Sequence, residues 1–214
     1  MHKRSWLIGF FTFLLCFPTA WAKSAGKESK NIQQSCSAID LDLKNNALSI
    51  RYFAALSPAQ PNAWTEFHNE VDLQKACSKG FARKASAYFK AQVPVLIEFE
   101  LKSPTKEWVN YLKCYYRVDG SLEKIHSDFR RFGAYQKGKG DEQQFLVKVI
   151  RDRYYDPRGK CIKKSSPRFF NTSTGGELKD VVFKDVAWPL YLSVEKLPFY
   201  QLLQASTTPT PSKL

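Results

Sequence analysis

Residues 93–101, VPVLIEFEL, carry the pattern that decides the fold class. Ile97, Phe99 and Leu101 alternate with two glutamates, so one side of the segment is apolar and the other is charged. Because successive side chains of a strand point to opposite faces of a sheet, this alternation predicts a β-strand over a core. Pro94 near its start indicates a strand entry or a sheet edge.

Further strands are predicted downstream of this segment. Residues 109–118 are aromatic and β-branched, and they run into Asp119-Gly120, a dipeptide typical of tight hairpins. The return strand extends to about His126, a long strand follows over 144–155, and another over 177–187. Together these segments predict an antiparallel sheet of five or six strands.

Two segments upstream predict a hairpin and a helical layer. Apolar residues alternate over 39–54 on both sides of Asn45-Asn46, which predicts a hairpin with a two-residue turn, with a helix as the alternative. Apolar residues over 63–91 recur at three- and four-residue spacing, which predicts one amphipathic helix or two that meet near Cys77.

The order of these elements predicts an α+β fold in which an N-terminal helical layer packs on a curved antiparallel sheet. In that order alone the chain resembles the cystatin-like and NTF2-like rolls, a resemblance that carries no functional residues with it. We expect a flexible leader over 23–35, a single α+β domain over 36–203 and a disordered tail over 204–214.

The N-terminus has the three zones of a secretory signal. Lys3 and Arg4 precede an apolar run over 7–17, and Ala20-Trp21-Ala22 has small residues where a signal peptidase cleaves. The run is shorter than the ~20 residues of a membrane-spanning helix. We therefore predict a signal peptide over 1–22, cleavage after Ala22, and a periplasmic or secreted mature protein.

Cysteine usage fits export. Cys16 lies in the signal, and the mature chain retains Cys36, Cys77, Cys114 and Cys161. An even number of cysteines in an oxidising compartment predicts two disulfides, for which three connectivities exist. Cys36–Cys77 and Cys114–Cys161 are preferred. A zinc site ranks behind, because no two of these cysteines have C-x-x-C spacing.

Positive charge is concentrated between residues 113 and 168, which hold 15 basic and seven acidic residues. Aromatic residues are interleaved with them, and arginine binds phosphate, sulfate or carboxylate groups through two parallel hydrogen bonds. A solvated basic surface beside core aromatics is the alternative. The residues that we expect to contact an anionic ligand are Arg130, Arg131, Arg151, Arg153, Tyr155, Lys163 and Lys164.

These features favour an exported, disulfide-stabilised binding domain with a basic and aromatic face. The expected partner is anionic: an envelope polysaccharide, an acidic protein or a membrane surface of lipid headgroups. Export and the lack of a nucleic-acid-binding motif argue against a nucleic-acid partner. Neither a metal nor another cofactor is predicted, because the chain lacks the nucleotide-binding, metal-binding and nucleophile motifs that would indicate one.

A small exported hydrolase is the second hypothesis. His68 lies between two glutamates, and His126 precedes Asp128, so a carboxylate could orient either imidazole for general acid–base catalysis. Neither histidine has a nucleophile at a telling position, and we assign no catalytic residue. A surface or capping histidine is the alternative for both.

Overall fold

The structure is a computed structural model, which describes residues 17–78, 80, 82–136, 145–182 and 190–205. The helices are α1 (Phe17–Lys44), α2 (Glu70–Cys77) and α3 (Tyr200–Ala205), with a 3-10 turn at Val194–Lys196. The strands are β1 (Ser49–Ala55), β2 (Trp64–Phe67), β3 (Arg83–Lys90), β4 (Val93–Lys102), β5 (Trp108–Tyr116), β6 (Leu122–Gln136), β7 (Phe145–Tyr155), β8 (Cys161–Lys164), β9 (Arg168–Asn171), β10 (Glu177–Leu178) and β11 (Val181–Val182).

The strands form one open antiparallel sheet with the order β10-β9-β7-β6-β5-β4-β3-β1-β2. β11 pairs with β6, and β8 pairs with β7. The prediction of an α+β fold with helices on an antiparallel sheet is confirmed. The strands predicted over 93–101, 109–118 and 144–155 are present as β4, β5 and β7. In the part of the chain that the structure describes, the sheet has eleven strands where five or six were expected.

The hairpin predicted over 39–54 is wrong in its first half. α1 continues to Lys44 and includes the segment expected to be a flexible leader. Ile32, Cys36 and Ile39 are buried at helical spacing, and they pack against the sheet together with Tyr88, Leu96 and Tyr115. The helical spacing of apolar residues extends over a longer segment than the alternation does, and a helix buries all of them on one face. The segment up to Lys44 is therefore a helix and not the first strand of a hairpin.

The long helix predicted over 63–91 is also wrong. β2 and β3 form there, and only 70–77 is helical, with Asn69 Oδ1 accepting a hydrogen bond from Asp72 N at 2.9 Å. Ala85 and Ala87 are buried on alternate positions of β3, which lies between β1 and β4. Alanine favours helices locally, but two neighbouring strands satisfy the backbone of this segment and override that preference.

The sheet has two unlike faces. We call the face that packs against α1 the helix face; its buried residues include Tyr88, Leu96 and Tyr115. We call the other one the open face; its buried residues include Phe99 and Leu112, and residues 190–205 pack on it. Because side chains alternate along each strand, neighbouring residues of one strand lie on different faces.

The C-terminal segment completes the core on the open face. Phe199 is 1% exposed and stacks on Phe53, with ring centroids 4.4 Å apart. Arg51 donates hydrogen bonds to the carbonyl oxygens of Leu202 and Leu203 at 2.6 and 2.9 Å, and these contacts hold the last helix against β1. Of the strand predicted over 177–187, only the short strands β10 and β11 form among the described residues.

A buried carboxylate joins α1 to the sheet. Glu123 is 4% exposed, and its Oε1 accepts a hydrogen bond from Ser35 Oγ at 2.9 Å and from Cys36 Sγ at 3.7 Å. Its Oε2 lies 3.9 Å from Nε of Arg117. The contacts span more than 80 residues of sequence, so they fix the helix on β6.

The disulfide prediction is wrong: within the described ranges, none of the four cysteines is bonded to another. Cys114 lies on β5 and Cys161 on β8, and β6 and β7 lie between them. Three strand spacings amount to ~14 Å, about twice the Cα separation that a disulfide allows. Cys36 contacts Glu123 of β6, whereas Cys77 ends α2 near the residues of β3 and β4.

Several predicted segments lie outside the described residues. They are the signal up to residue 16, the tail after residue 205, residue 144 of the strand predicted over 144–155, and residues 183–187 of the strand predicted over 177–187. The predicted cleavage site after Ala22 falls within α1, whose remaining residues include every side chain described above as packing on the sheet. No helix of the described ranges is long and apolar enough to span a lipid bilayer.

Candidate functional site

The seven residues expected to contact an anionic ligand are divided between the two faces of the sheet. The register between β6, β7 and β8 fixes this division, since Lys163 is opposite Tyr154 and Lys164 is opposite Arg153. Arg130 and Lys163 lie on the helix face. The residues on the open face are Arg131, Arg151, Arg153, Tyr155 and Lys164.

The two residues on the helix face are engaged in local contacts. Arg130 donates from Nε and Nη2 to the carboxylate of Asp128 at 3.0 and 2.9 Å, and its guanidinium lies 5.0 Å from the ring centroid of Tyr111. The hydrogen bond with Asp128 raises the pKa of Arg130. Lys163 Nζ lies 5.3 Å from the ring centroid of Tyr154. These cations stabilise the surface of the helix face.

Among the residues expected to contact a ligand, the cations of the open face lie closer together than those of the helix face. Arg153 and Lys164 are directly opposite each other on β7 and β8, and Arg151 is two residues along the same strand. Their Cα atoms are therefore ~5 to 8 Å apart, close enough for one ligand to contact all three. Arg131 is on the same face, four residue pairs further along the ladder between β6 and β7 than Arg151. Tyr155 is 2% exposed, so its ring belongs to the core.

A buried polar pair, Ser127 and Asn110, lies next to Arg151 on the open face. Ser127 lies opposite Arg151, and its hydroxyl donates to Asn110 Oδ1 at 2.9 Å. Asn110 is 1% exposed, and its Nδ2 has no hydrogen-bond partner among the described residues. A buried donor without a partner is costly, and such groups in proteins commonly mark a bound molecule or ion. Sequence reasoning missed Asn110, because nothing in its neighbourhood marks it as buried.

The helix face carries a different arrangement, centred on His126. In one row across the strands, Lys113, His126 and Asp152 are direct neighbours on β5, β6 and β7. The imidazole Nδ1 of His126 is 2.9 Å from Asp152 Oδ1, and Lys124 Nζ is 3.4 Å from the same oxygen. The carboxylate thereby fixes the orientation of the ring, as in many acid–base and ligand-binding sites.

Electrostatics explains the ionised state of this carboxylate. Burial opposes ionisation of Asp152, but the hydrogen bond with His126 and the positive charge of Lys124 hold its pKa below the ordinary value. A similar balance holds the pKa of Glu100 low, because Lys84 and Lys102 each contact it at 2.6 Å. The helix face therefore carries several pairs of opposite charges, and the contact with Asp152 holds the His126 ring in place.

The two candidate histidines have different surroundings. His126 lines a groove between the end of α1 and the sheet. His68 follows β2 and directly precedes Asn69, the residue that caps α2. It lines neither the groove at His126 nor the hollow that adjoins this groove toward α2. The structure thus distinguishes the two histidines, which the sequence could not rank, because His126 contacts a carboxylate in a groove and His68 only precedes the cap of α2.

Metal binding and similarity to known proteins add no further site. Across the described ranges, no three His, Cys, Asp or Glu side chains are grouped so that they could hold a metal ion. No protein-family profile, curated protein or solved structure matches this chain.

Proposed function

We propose that the chain is an exported binding domain that engages an anionic partner through the open face of its sheet. The contact residues are Arg131, Arg151, Arg153 and Lys164, with Arg130, Lys163 and Tyr155 removed from the predicted set. One observation carries the proposal: the register of β7 with β8 brings Arg151, Arg153 and Lys164 together on one face.

The chemistry of these side chains favours an extended anion. Two guanidinium groups and one ammonium group can each donate to phosphate, sulfate or carboxylate oxygens, and such charge-assisted hydrogen bonds are stronger than neutral ones. A polysaccharide with acidic groups, an acidic protein segment or a surface of anionic lipids offers this chemistry.

The test is retention on heparin as a function of salt concentration. We expect Arg151→Ala/Arg153→Ala to weaken binding at least about tenfold, since each charge-assisted hydrogen bond contributes ~1.5–3 kcal/mol. Arg130→Ala/Lys163→Ala removes the same formal charge from the helix face and is the matched control. Equal weakening by both variants, or retention that ignores salt, would reject a site on the open face.

Export itself rests on the N-terminal signal. We propose that the mature protein begins at Lys23, because the charged, apolar and small-residue zones precede it in the expected order. N-terminal sequencing of the protein recovered from the periplasm or the medium tests this. A chain that keeps residue 1 and stays with the cytoplasmic fraction would contradict it.

We also keep the finer description of the fold as a proposal. A helix laid on one face of a long antiparallel meander is the arrangement of the cystatin-like and NTF2-like rolls, and β3 to β7 form such a meander here. An experimental structure in which the sheet wraps around α1 would support a roll. A flat sheet would oppose it.

A hydrolase remains the second candidate, now centred on His126 alone. The contact of Nδ1 with Asp152 at 2.9 Å is the observation that favours it, since this pairing suits a general base. Profiling of ester, amide and phosphate substrates with the wild type, His126→Ala and His68→Ala separates the possibilities. Hydrolysis that survives His126→Ala would eliminate this function.

A further inference from the structure

A groove lies between the last turns of α1 and the helix face of the sheet. It comprises two adjoining hollows of about 550 and 430 Å³. They share two lining residues, Leu43 of α1 and Lys113 of β5, so they lie next to each other on this face. Hollows of this size are typical of sites for small organic ligands. The groove is on the face of the sheet opposite to Arg151 and Arg153.

The two ends of the groove differ in chemistry. The larger hollow is lined by Lys44, Lys113, Lys124 and His126, with Asp40 and Asp152 as the acidic residues. The smaller hollow extends toward α2 and adds apolar and aromatic walls from Ile50, Tyr52 and Leu73, beside several charged residues. A ligand with a charged head and an apolar body would match this gradient.

The carboxylates of the larger hollow already have partners. Asp40 Oδ1 accepts a hydrogen bond from Tyr115 Oη at 2.8 Å. Asp152 contacts His126 and Lys124. Glu98, at the junction with the smaller hollow, accepts from Tyr88 Oη at 2.8 Å and pairs with Lys113 at 2.7 Å. Lysines thus offset the negative charges of Asp152 and Glu98, whereas the partner of Asp40 is a neutral hydroxyl.

Donors, in contrast, are left over. Because Asp152 engages Nδ1 of His126, the ring nitrogen Nε2 is the one left for a ligand, and it donates to an anion when both ring nitrogens carry a proton. Lys44 has no ion pair among the described residues. Lys124 Nζ lies 5.7 and 5.5 Å from the ring centroids of Tyr115 and Tyr154, which shield it from water on two sides. Lys124 Nζ also pairs with Asp152 Oδ1, but an ammonium group has three N–H donors. Lys44 and Lys124 therefore retain donors for an anionic head.

We propose that this groove binds a small organic anion, with its phosphate or carboxylate head at His126, Lys124 and Lys44 and its apolar body directed along Leu43 toward α2. The site is independent of the open face, so the two proposals can fail separately. Asp152 acts as a positioning residue, because it holds the imidazole with Nε2 available for the ligand.

The test uses phenyl phosphate and benzoate as probes, with inorganic phosphate and benzyl alcohol for comparison. We expect either organic anion to shift the NMR signals of the His126 ring. Inorganic phosphate lacks the apolar body and should bind at least about tenfold more weakly, and benzyl alcohol lacks the charge and should not shift the signals. A preference for phenyl phosphate or benzoate identifies the head group.

Three variants separate a binding site from a structural role. Lys124→Gln/His126→Gln should weaken binding of the organic anions at least about tenfold, and Lys44→Gln should weaken it about threefold or more. Lys44 is exposed at the end of α1, so its substitution leaves folding intact. Arg168→Gln, at an exposed residue of β9 outside both proposed sites, is the control and should bind the probes like the wild type.

The proposal is overturned by either of two results. One is the absence of any His126 shift with phenyl phosphate and benzoate at millimolar concentrations. The other is binding that Lys44→Gln leaves unchanged while Arg151→Ala/Arg153→Ala weakens it, which would place the anions on the open face.

Discussion

Reduction of the folded protein will leave its free energy of unfolding unchanged. The bonds that the sequence predicts, Cys36–Cys77 and Cys114–Cys161, would close loops of about 42 and about 48 residues. In the chain-entropy model each would stabilise the fold by ~4 kcal/mol. The structure allows neither, since β6 and β7 lie between Cys114 and Cys161 and impose a lateral separation of ~14 Å. The expected effect of reduction is therefore zero.

The same geometry predicts thiol reactivity. Burial raises the pKa of Cys114 to about 12 and also raises that of Cys36, so both stay protonated near neutral pH. Because the thiolate is the reactive form, we expect slow alkylation of both in the folded protein and fast alkylation in urea. Cys77 and Cys161 are half-buried and should react sooner.

The assay combines urea unfolding, with and without a phosphine reductant, with mapping of alkylated cysteines by mass spectrometry. Free energies of unfolding that agree within the ~10–15% error of the extrapolation to water would support four thiols. A loss of several kcal/mol on reduction, or a cysteine of the four that alkylates in urea only after reduction, would refute the reasoning.

Three further predictions concern stability and are checked by urea unfolding. Phe199→Ala should destabilise the fold by ~3–5 kcal/mol, because it empties a buried aromatic cluster, whereas Phe132→Ala, at a residue 60% exposed, should change it by ~0.5 kcal/mol or less. Similar losses for both would show that residues 190–205 do not close the core. Glu123→Ala should cost ~2–3 kcal/mol, since it leaves buried donors of α1 and Arg117 without their acceptor; a neutral effect would contradict the proposed link. Glu100→Gln should destabilise at neutral pH and lose its effect as the pH falls through the lowered pKa of Glu100, below its ordinary value of 4.5. A difference that grows toward acid pH would have the wrong sign.

The strands that the sequence predicted correctly are those with purely local signals. Ile97, Phe99 and Leu101 alternate with charged residues, and Asp119-Gly120 favours a tight turn whatever surrounds it. β3 was predicted as a helix because Ala85 and Ala87 have a helical preference, which pairing with β1 and β4 overrides. α1 was not predicted because its buried residues extend upstream into a segment whose composition resembles a flexible leader.

In the candidate sites, too, local patterns were predicted from the sequence and long-range contacts were not. The alternation of Arg151 and Arg153 along one strand correctly placed both on one face. The separation of Arg130 from Arg131 onto different faces also follows from alternation, once β6 is known to continue through them. The pairing of His126 with Asp152 spans 26 residues and depends on the register between β6 and β7, which no local pattern specifies.

By itself, the sequence determined the antiparallel strands between residues 93 and 155, the turn at Asp119-Gly120 and the concentration of positive charge, because each depends on neighbours in the chain. The tertiary structure decided which cations share a face, that the cysteines lie on separate strands, and that a histidine and an aspartate meet in a groove under α1. The physical reason is that strand order and register bring together residues far apart in sequence. A one-residue change of register would move every one of these side chains to the other face.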